Sequence, residues 1–129
     1  MATRGTTMVL IIEDNAIHKG EALIFLAKNQ NPGEIEIFLC KTYEDAKNKI
    51  YSPIDWDIVY LDGNLNPGNG VDLIQAIKDC SPEAKIIMTS DSPDTNDKGI
   101  KAGAHEALDA EELQKAHERY LEARYPRRG

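Results

Sequence analysis

Short apolar runs alternate along this chain with stretches in which apolar side chains recur every three or four positions. Met8 to Ile12 is continuously apolar, as a strand buried on both faces should be. A helix is expected from about Ala16 to Lys28, with Ile17, Leu23, Ile24 and Ala27 facing inward, and Asn31-Pro32-Gly33 breaks it. Glu34 to Cys40 sets Ile35, Ile37 and Leu39 against Glu34, Glu36 and Phe38, the pattern of a more exposed strand at or near an edge. Thr42 can cap a short helix from Tyr43 to Ile50, with Asp45 in its first turn, and Ser52-Pro53 ends it.

A second buried strand follows at Ile58 to Leu61, then a glycine- and asparagine-rich loop from Gly63 to Gly70. Val71 to Asp79 reads as a helix with Leu73, Ile74 and Ile77 inward, and Ser81-Pro82 stops it before the strand Lys85 to Met88. Asp91 to Asp97 is a polar loop leading to a weak helix that ends near Gly103. The final helix, Glu111 to Arg124, puts Leu113, Ala116, Tyr120 and Leu121 on one face. Strands alternating with helical periods give an α/β fold, a mostly parallel sheet with helices on both faces.

The 129 residues suit one domain, 1–129, with 1–7 and 125–129 as flexible ends. A formal net charge of -7 repels nucleic acid and anionic membrane, so neither is expected as a direct partner. No apolar run is long enough to span a bilayer, and Met1 to Thr7 lacks the apolar core of a signal peptide. Cys40 and Cys80 fit no metal-ligand spacing and read as reduced, buried side chains, which suits a cytoplasmic location.

The chemistry collects where the strands end. The first runs into Glu13-Asp14, the Ile58 strand into Asp62, and the Lys85 strand into Thr89-Ser90. In a parallel sheet these ends share the edge where open α/β folds bind ligands. Carboxylates crowded there repel one another and need a cation, so a hard-metal site with a hydroxyl nearby is expected.

Taken with the loop Asp62-Gly63-Asn64-Leu65-Asn66-Pro67-Gly68, this order of residues resembles the receiver domain of bacterial two-component response regulators. The resemblance runs from Val9 to Leu121. It implies a flavodoxin-like (βα)5 domain with a five-stranded parallel sheet, in which Asp62 accepts a phosphoryl group from a histidine kinase or phosphotransfer protein. Mg²⁺ would be held directly by Asp14 and Asp62, partly through water by Glu13, and by the backbone carbonyl of Asn64. Thr89 would hydrogen-bond the phosphoryl group, and Asn64 and Asp91 would tune access of the hydrolytic water. Such a chain is no enzyme beyond catalysing its own phosphorylation and dephosphorylation, and its output would be contact with a downstream protein.

One stretch departs from the family pattern. Ala102-Gly103-Ala104 and Asp109-Ala110-Glu111-Glu112-Leu113 match it, but between them a short segment is missing, including the lysine that pairs with the acyl phosphate, the following proline and an aromatic switch residue. The fifth strand and its following loop are therefore shortened. No Lys or Arg occurs between Lys101 and Lys115, so no sequence neighbour replaces the lost charge. Asn66 also stands where the family has proline, with Pro67 after it. Losing the lysine removes a charge-assisted contact without touching the metal ligands.

The alternative reading is thus a phosphorylation-independent pseudo-receiver, an interaction module that keeps the fold without the switch. His105 could turn toward the acids, though an exposed histidine beginning a short strand is the plainer expectation; His18 reads as a solvated helix residue, and Trp56 and Tyr60 as packing residues. No nucleophile elbow or phosphate-cradling glycine loop follows the first strand, and a phosphatase built on Asp62 would lack a positioned general acid.

Overall fold

A computed structural model of the chain describes residues 5–65 and 69–126. Asn66 and Pro67, and the outer parts of both ends, 1–4 and 127–129, lie outside the described residues.

The five strands are β1 (Thr6–Ile12), β2 (Glu34–Cys40), β3 (Ile58–Leu61), β4 (Lys85–Met88) and β5 (Glu106–Ala107). They form one sheet in the order β2-β1-β3-β4-β5, with every neighbouring pair parallel. The helices are α1 (Glu21–Gln30), α2 (Tyr43–Ile50), α3 (Ile74–Cys80), α4 (Pro93–Ala102) and α5 (Ala110–Arg124). The expected flavodoxin-like architecture is therefore present, with β2 at an edge and β5 cut to two residues.

Alternation along the strands divides the core into two layers. Leu10, Ile12, Val59, Leu61, Ile86 and Met88 face α2 and α3, where Ala46, Ile50, Leu73, Ile74 and Ile77 close over them. Val9, Ile11, Tyr60 and Ile87 face the other way, against Leu23 and Ala27 of α1 and Leu113 of α5. On the first side α4 lies so close to β4 that a Cβ at Gly99 would meet the Met88 sulfur at 2.4 Å. On the second, α1 and α5 are pinned by a hydrogen bond from the Tyr120 hydroxyl to Glu21.

Local chemistry explains most of the boundaries. Thr42 accepts the Asp45 amide at 3.1 Å and starts α2 as expected. Asp109 and Glu112 form a reciprocal capping box that starts α5 right after β5. Trp56 is buried edge-to-face on Phe38, 5.4 Å between centroids, and its indole N–H donates to the Lys49 carbonyl.

Several expectations need correcting. β1 begins at Thr6, earlier than the apolar run suggests, because Thr6 and Thr7 pair with Glu34 and Ile35. Ile17 does not face inward; it is 75% exposed. Residues Ala16–Gly20 form a π-helical turn, one residue wider than an α-turn, which rotates Ile17 off the face that Leu23 and Ala27 share. Helix α4 starts at Pro93, inside the expected polar loop, because the Ser92 hydroxyl caps it and Pro93 suits a first turn. Helix α3 is preceded by a 3₁₀ turn, Gly70–Leu73. Leu121 is exposed, and Cys80 is only half-buried whereas Cys40 is buried; both thiols are free.

Candidate functional site

Register builds the site. Ile12 lies beside Leu61, and Leu61 beside Met88, so the next residues, Glu13, Asp62 and Thr89, stand in a row across three adjacent strand ends. Backbone hydrogen bonds continue the ladder: the Asp62 amide donates to the Ile12 carbonyl and the Thr89 amide to the Leu61 carbonyl, both at 2.9 Å. Ile12, Leu61 and Met88 face α2 and α3, so alternation directs the row toward the α1 and α5 side. Glu13, Asp62 and Thr89 are all buried, while Asp14 is exposed at the rim.

The carboxylates of Glu13, Asp14 and Asp62 offer oxygens that lie within 4.8 Å of one another. One oxygen of each buried acid is tied down locally: Asp62 Oδ1 accepts the Asn64 amide at 3.0 Å, and Glu13 Oε2 accepts the Asn15 amide at 3.2 Å. The remaining polar atoms are not so provided for. Glu13 Oε1 and Thr89 Oγ1 are buried without a hydrogen-bond partner. Buried polar groups are nearly always paired, so orphaned oxygens beside crowded carboxylates point to a missing ligand. Hard oxygen donors at this spacing suit a divalent cation.

Burial sets the electrostatics. It pushes the Glu13 carboxyl up to about 8, with Lys19 opposing and Asp62 adding to the rise. Burial also raises Asp62, against the pull of the Asn64 amide and Lys19. Without a cation the site thus favours keeping a proton.

Lys19 is the residue that sequence reasoning missed. Its Nζ lies 3.4 Å from Glu13 Oε1, within ion-pair reach but off the hydrogen-bond direction, and 3.4 Å from Asp91 Oδ1. A signal for it existed: Lys19, Leu23 and Ala27 follow one another at helical spacing, and the latter two are fully buried. Also missed was the network behind the site. Asn64 Nδ2 donates to Ser90 Oγ at 2.8 Å, while buried Asn96 accepts the Ser90 amide at 3.1 Å and returns a bond to its carbonyl at 2.9 Å. Thr95 Oγ1 donates to Asn64 Oδ1 at 3.4 Å, so the loop after β3 is tied to the start of α4. No pattern in the chain marks Asn96 for this role.

The remaining candidates fall into place around these. Asp91 stands at the rim, its side chain 85% exposed, held through Lys19. His105 turns to the sheet edge rather than to the acids; its Nδ1 accepts the Ile86 amide at 3.0 Å. His18 is exposed and meets His117 edge-on at 5.9 Å. Both histidines, with Lys19 and Asp91, line a cleft of about 360 Å³ between the beginnings of α1 and α5.

No protein-family model matches this sequence, and no curated protein matches it. Solved structures do. A response regulator protein from Burkholderia pseudomallei, determined with a phosphorylated aspartic acid, a calcium ion and citrate, superposes with a TM-score of 0.68 at 20% identity, over 92% of this chain and 71% of that one. A CheY-like receiver domain protein from Methanospirillum hungatei gives 0.65 at 21% identity, covering 92% and 97%. The beryllofluoride-activated NtrC4 receiver domain, a dimer in solution, gives 0.63 at 26% identity, covering 88% and 98%. The fold is that of response-regulator receiver domains. No described helix is long and apolar enough to cross a membrane.

Proposed function

We propose that this chain is a receiver that accepts a phosphoryl group on Asp62 from a histidine kinase or phosphotransfer protein, in a Mg²⁺-dependent reaction, and signals by contact with another protein. The observation that carries this reading is the row Glu13–Asp62–Thr89, with the Thr89 hydroxyl buried beside Asp62 and unpartnered. A carboxylate oxygen of Asp62 attacks the phosphorus; the O–P bond forms as the donor's P–N or P–O bond breaks, and the departing group keeps the electron pair. Asp14 and Asp62 would hold the cation, with Glu13 through water and the Asn64 carbonyl as further oxygens. When bound, the cation offsets the repulsion between anionic donor and anionic acceptor. Thr89 would donate its hydroxyl to a phosphoryl oxygen, and Asn64 and Asp91 would set how readily water reaches the acyl phosphate.

Two neighbours support the reading: one was solved with a phosphorylated aspartic acid, and another was activated by beryllofluoride. The test is incubation with a small phosphodonor and Mg²⁺, followed by intact mass. A single phosphoryl adduct that disappears in Asp62→Asn is expected. No adduct under forcing conditions would leave the phosphorylation-independent interaction module as the better account.

A further inference from the structure

The missing lysine leaves a chemical question that the geometry around Lys19 answers. A phosphoryl group on Asp62 adds negative charge to a pocket already holding Glu13 and Asp14, and a cation on the carboxylate side cannot contact every phosphoryl oxygen. No basic residue follows β5 until Lys115, which lies on the exposed side of α5 and pairs with Glu111 at 3.2 Å. Lys19, by contrast, reaches the site from the other helix on that face.

Its placement is unusual for a lysine. The side chain is only 13% exposed and occupies the stripe continued by Leu23 and Ala27, the stripe that packs on the sheet. Lysines rarely sit so deep unless they are paired. Nζ is 3.4 Å from Glu13 Oε1 at the end of β1 and 3.4 Å from Asp91 Oδ1 beyond the end of β4. Since β3 lies between β1 and β4, the ammonium bridges the two sides of Asp62. Its charge acts on both buried acids, lowering Glu13 and Asp62 alike against the effect of burial. The π-turn at Ala16–Gly20, closed by the Gly20 amide on the Asn15 carbonyl at 2.9 Å, is the local feature that presents it.

We propose that Lys19, carried by the turn before α1, pairs with the phosphoryl group on Asp62, in place of a lysine supplied from the segment after β5. Before phosphorylation Glu13 and Asp91 hold it ready; afterward it moves from those carboxylates to a phosphoryl oxygen. That exchange releases Asp91, which is otherwise exposed, and so carries the event to the cleft between α1 and α5. The inference rests on the receiver reading above, but it can fail alone.

The test uses beryllofluoride, a phosphoryl analogue, with Mg²⁺, followed by amide chemical shifts of the whole chain and by calorimetry for Mg²⁺ alone. Lys19→Met should bind Mg²⁺ as well as the wild type or better, since an internal cation has been removed, yet lose beryllofluoride affinity by about tenfold or more. Lys19→Arg should restore much of it, and the Asp91 amide should shift on beryllofluoride addition in the wild type but not in Lys19→Met. Lys19→Gln provides the same comparison if the methionine variant does not fold. Equal beryllofluoride affinity in wild type and variant overturns the role of Lys19 while leaving the receiver reading standing. Parallel loss of Mg²⁺ and beryllofluoride binding overturns it too, since Lys19 would then only be holding Glu13 in place. Failure of the wild type to bind beryllofluoride overturns the receiver reading itself.

Discussion

Strand β3 is flanked by two aspartates in opposite circumstances. Before it, Asp57 Oδ2 accepts the Met8 amide at 2.8 Å, and the Asp57 backbone bonds to Met8 on one neighbour and Lys85 on the other. After it, Asp62 is buried beside Glu13, with one oxygen tied to Asn64 and its ionised form disfavoured by burial. The hydroxyls of the two ends repeat the contrast. Ser81 Oγ accepts the buried Trp56 amide at 2.9 Å, whereas Thr89 Oγ1 has no partner. Residue types are nearly the same at both ends; what differs is whether each oxygen's bonding is already complete. Completed bonds make a frame, and incomplete ones make a site.

Substitutions can break or sharpen this contrast. The largest effect is expected where the frame touches the site directly. A Cβ at Gly70 would stand 2.1 Å from the Asp62 carbonyl oxygen, a backbone atom that cannot yield cheaply. Gly70→Ala should therefore cost about 3 kcal/mol in urea unfolding. A variant as stable as the wild type would mean that the loop does not close on Asp62 as described.

Next come the hydroxyls. Ser81→Ala strands the Trp56 amide and should cost about 2 kcal/mol, whereas Thr89→Val removes an oxygen that bonds nothing and should be neutral or stabilising. Equal losses in the two variants would erase the distinction. Thr89→Val should nevertheless weaken phosphoryl or beryllofluoride binding.

The smallest effect concerns the aspartates themselves. Burial raises the Asp62 carboxyl from its usual 3.8, so the folded chain loses stability relative to the unfolded one as pH rises above that value. Asp62→Asn removes this loss. In metal-free buffer it should be more stable than the wild type at neutral pH, with the gain fading toward the acid end, where the carboxyl is protonated in both states. Asp57→Asn alters the acceptor of the Met8 amide and should not stabilise, and a destabilised Asp62→Asn would contradict the electrostatic picture.

The order of elements was legible because buried parallel strands are continuously apolar and amphipathic helices keep their period, so Val9 to Ile12, Ile58 to Leu61 and Ile86 to Met88 stand out. The acids and Thr89 were legible for a related reason: each follows such a run directly. Lys19 was passed over, since a lysine in a helix reads as solvated, although Leu23 and Ala27 in line with it already marked the inward face. Ile17 misled because a π-turn leaves no periodic trace of its extra residue. The early start of α4 was written in Ser92-Pro93, a capping pair hidden within a stretch whose polarity suggested a loop.

With only two residues, β5 makes a short border to the sheet. Losing residues from the border of a sheet ordinarily bares main-chain donors, which invites stray chains to stack there. Here the imidazole of His105 takes the Ile86 amide, and Lys85 and Glu106 clasp each other across the two strands at 2.9 Å. One ring thus accepts a main-chain donor beside the start of β5. The Ile86 donor at that border is therefore closed to a stray strand by a side chain instead of by main chain.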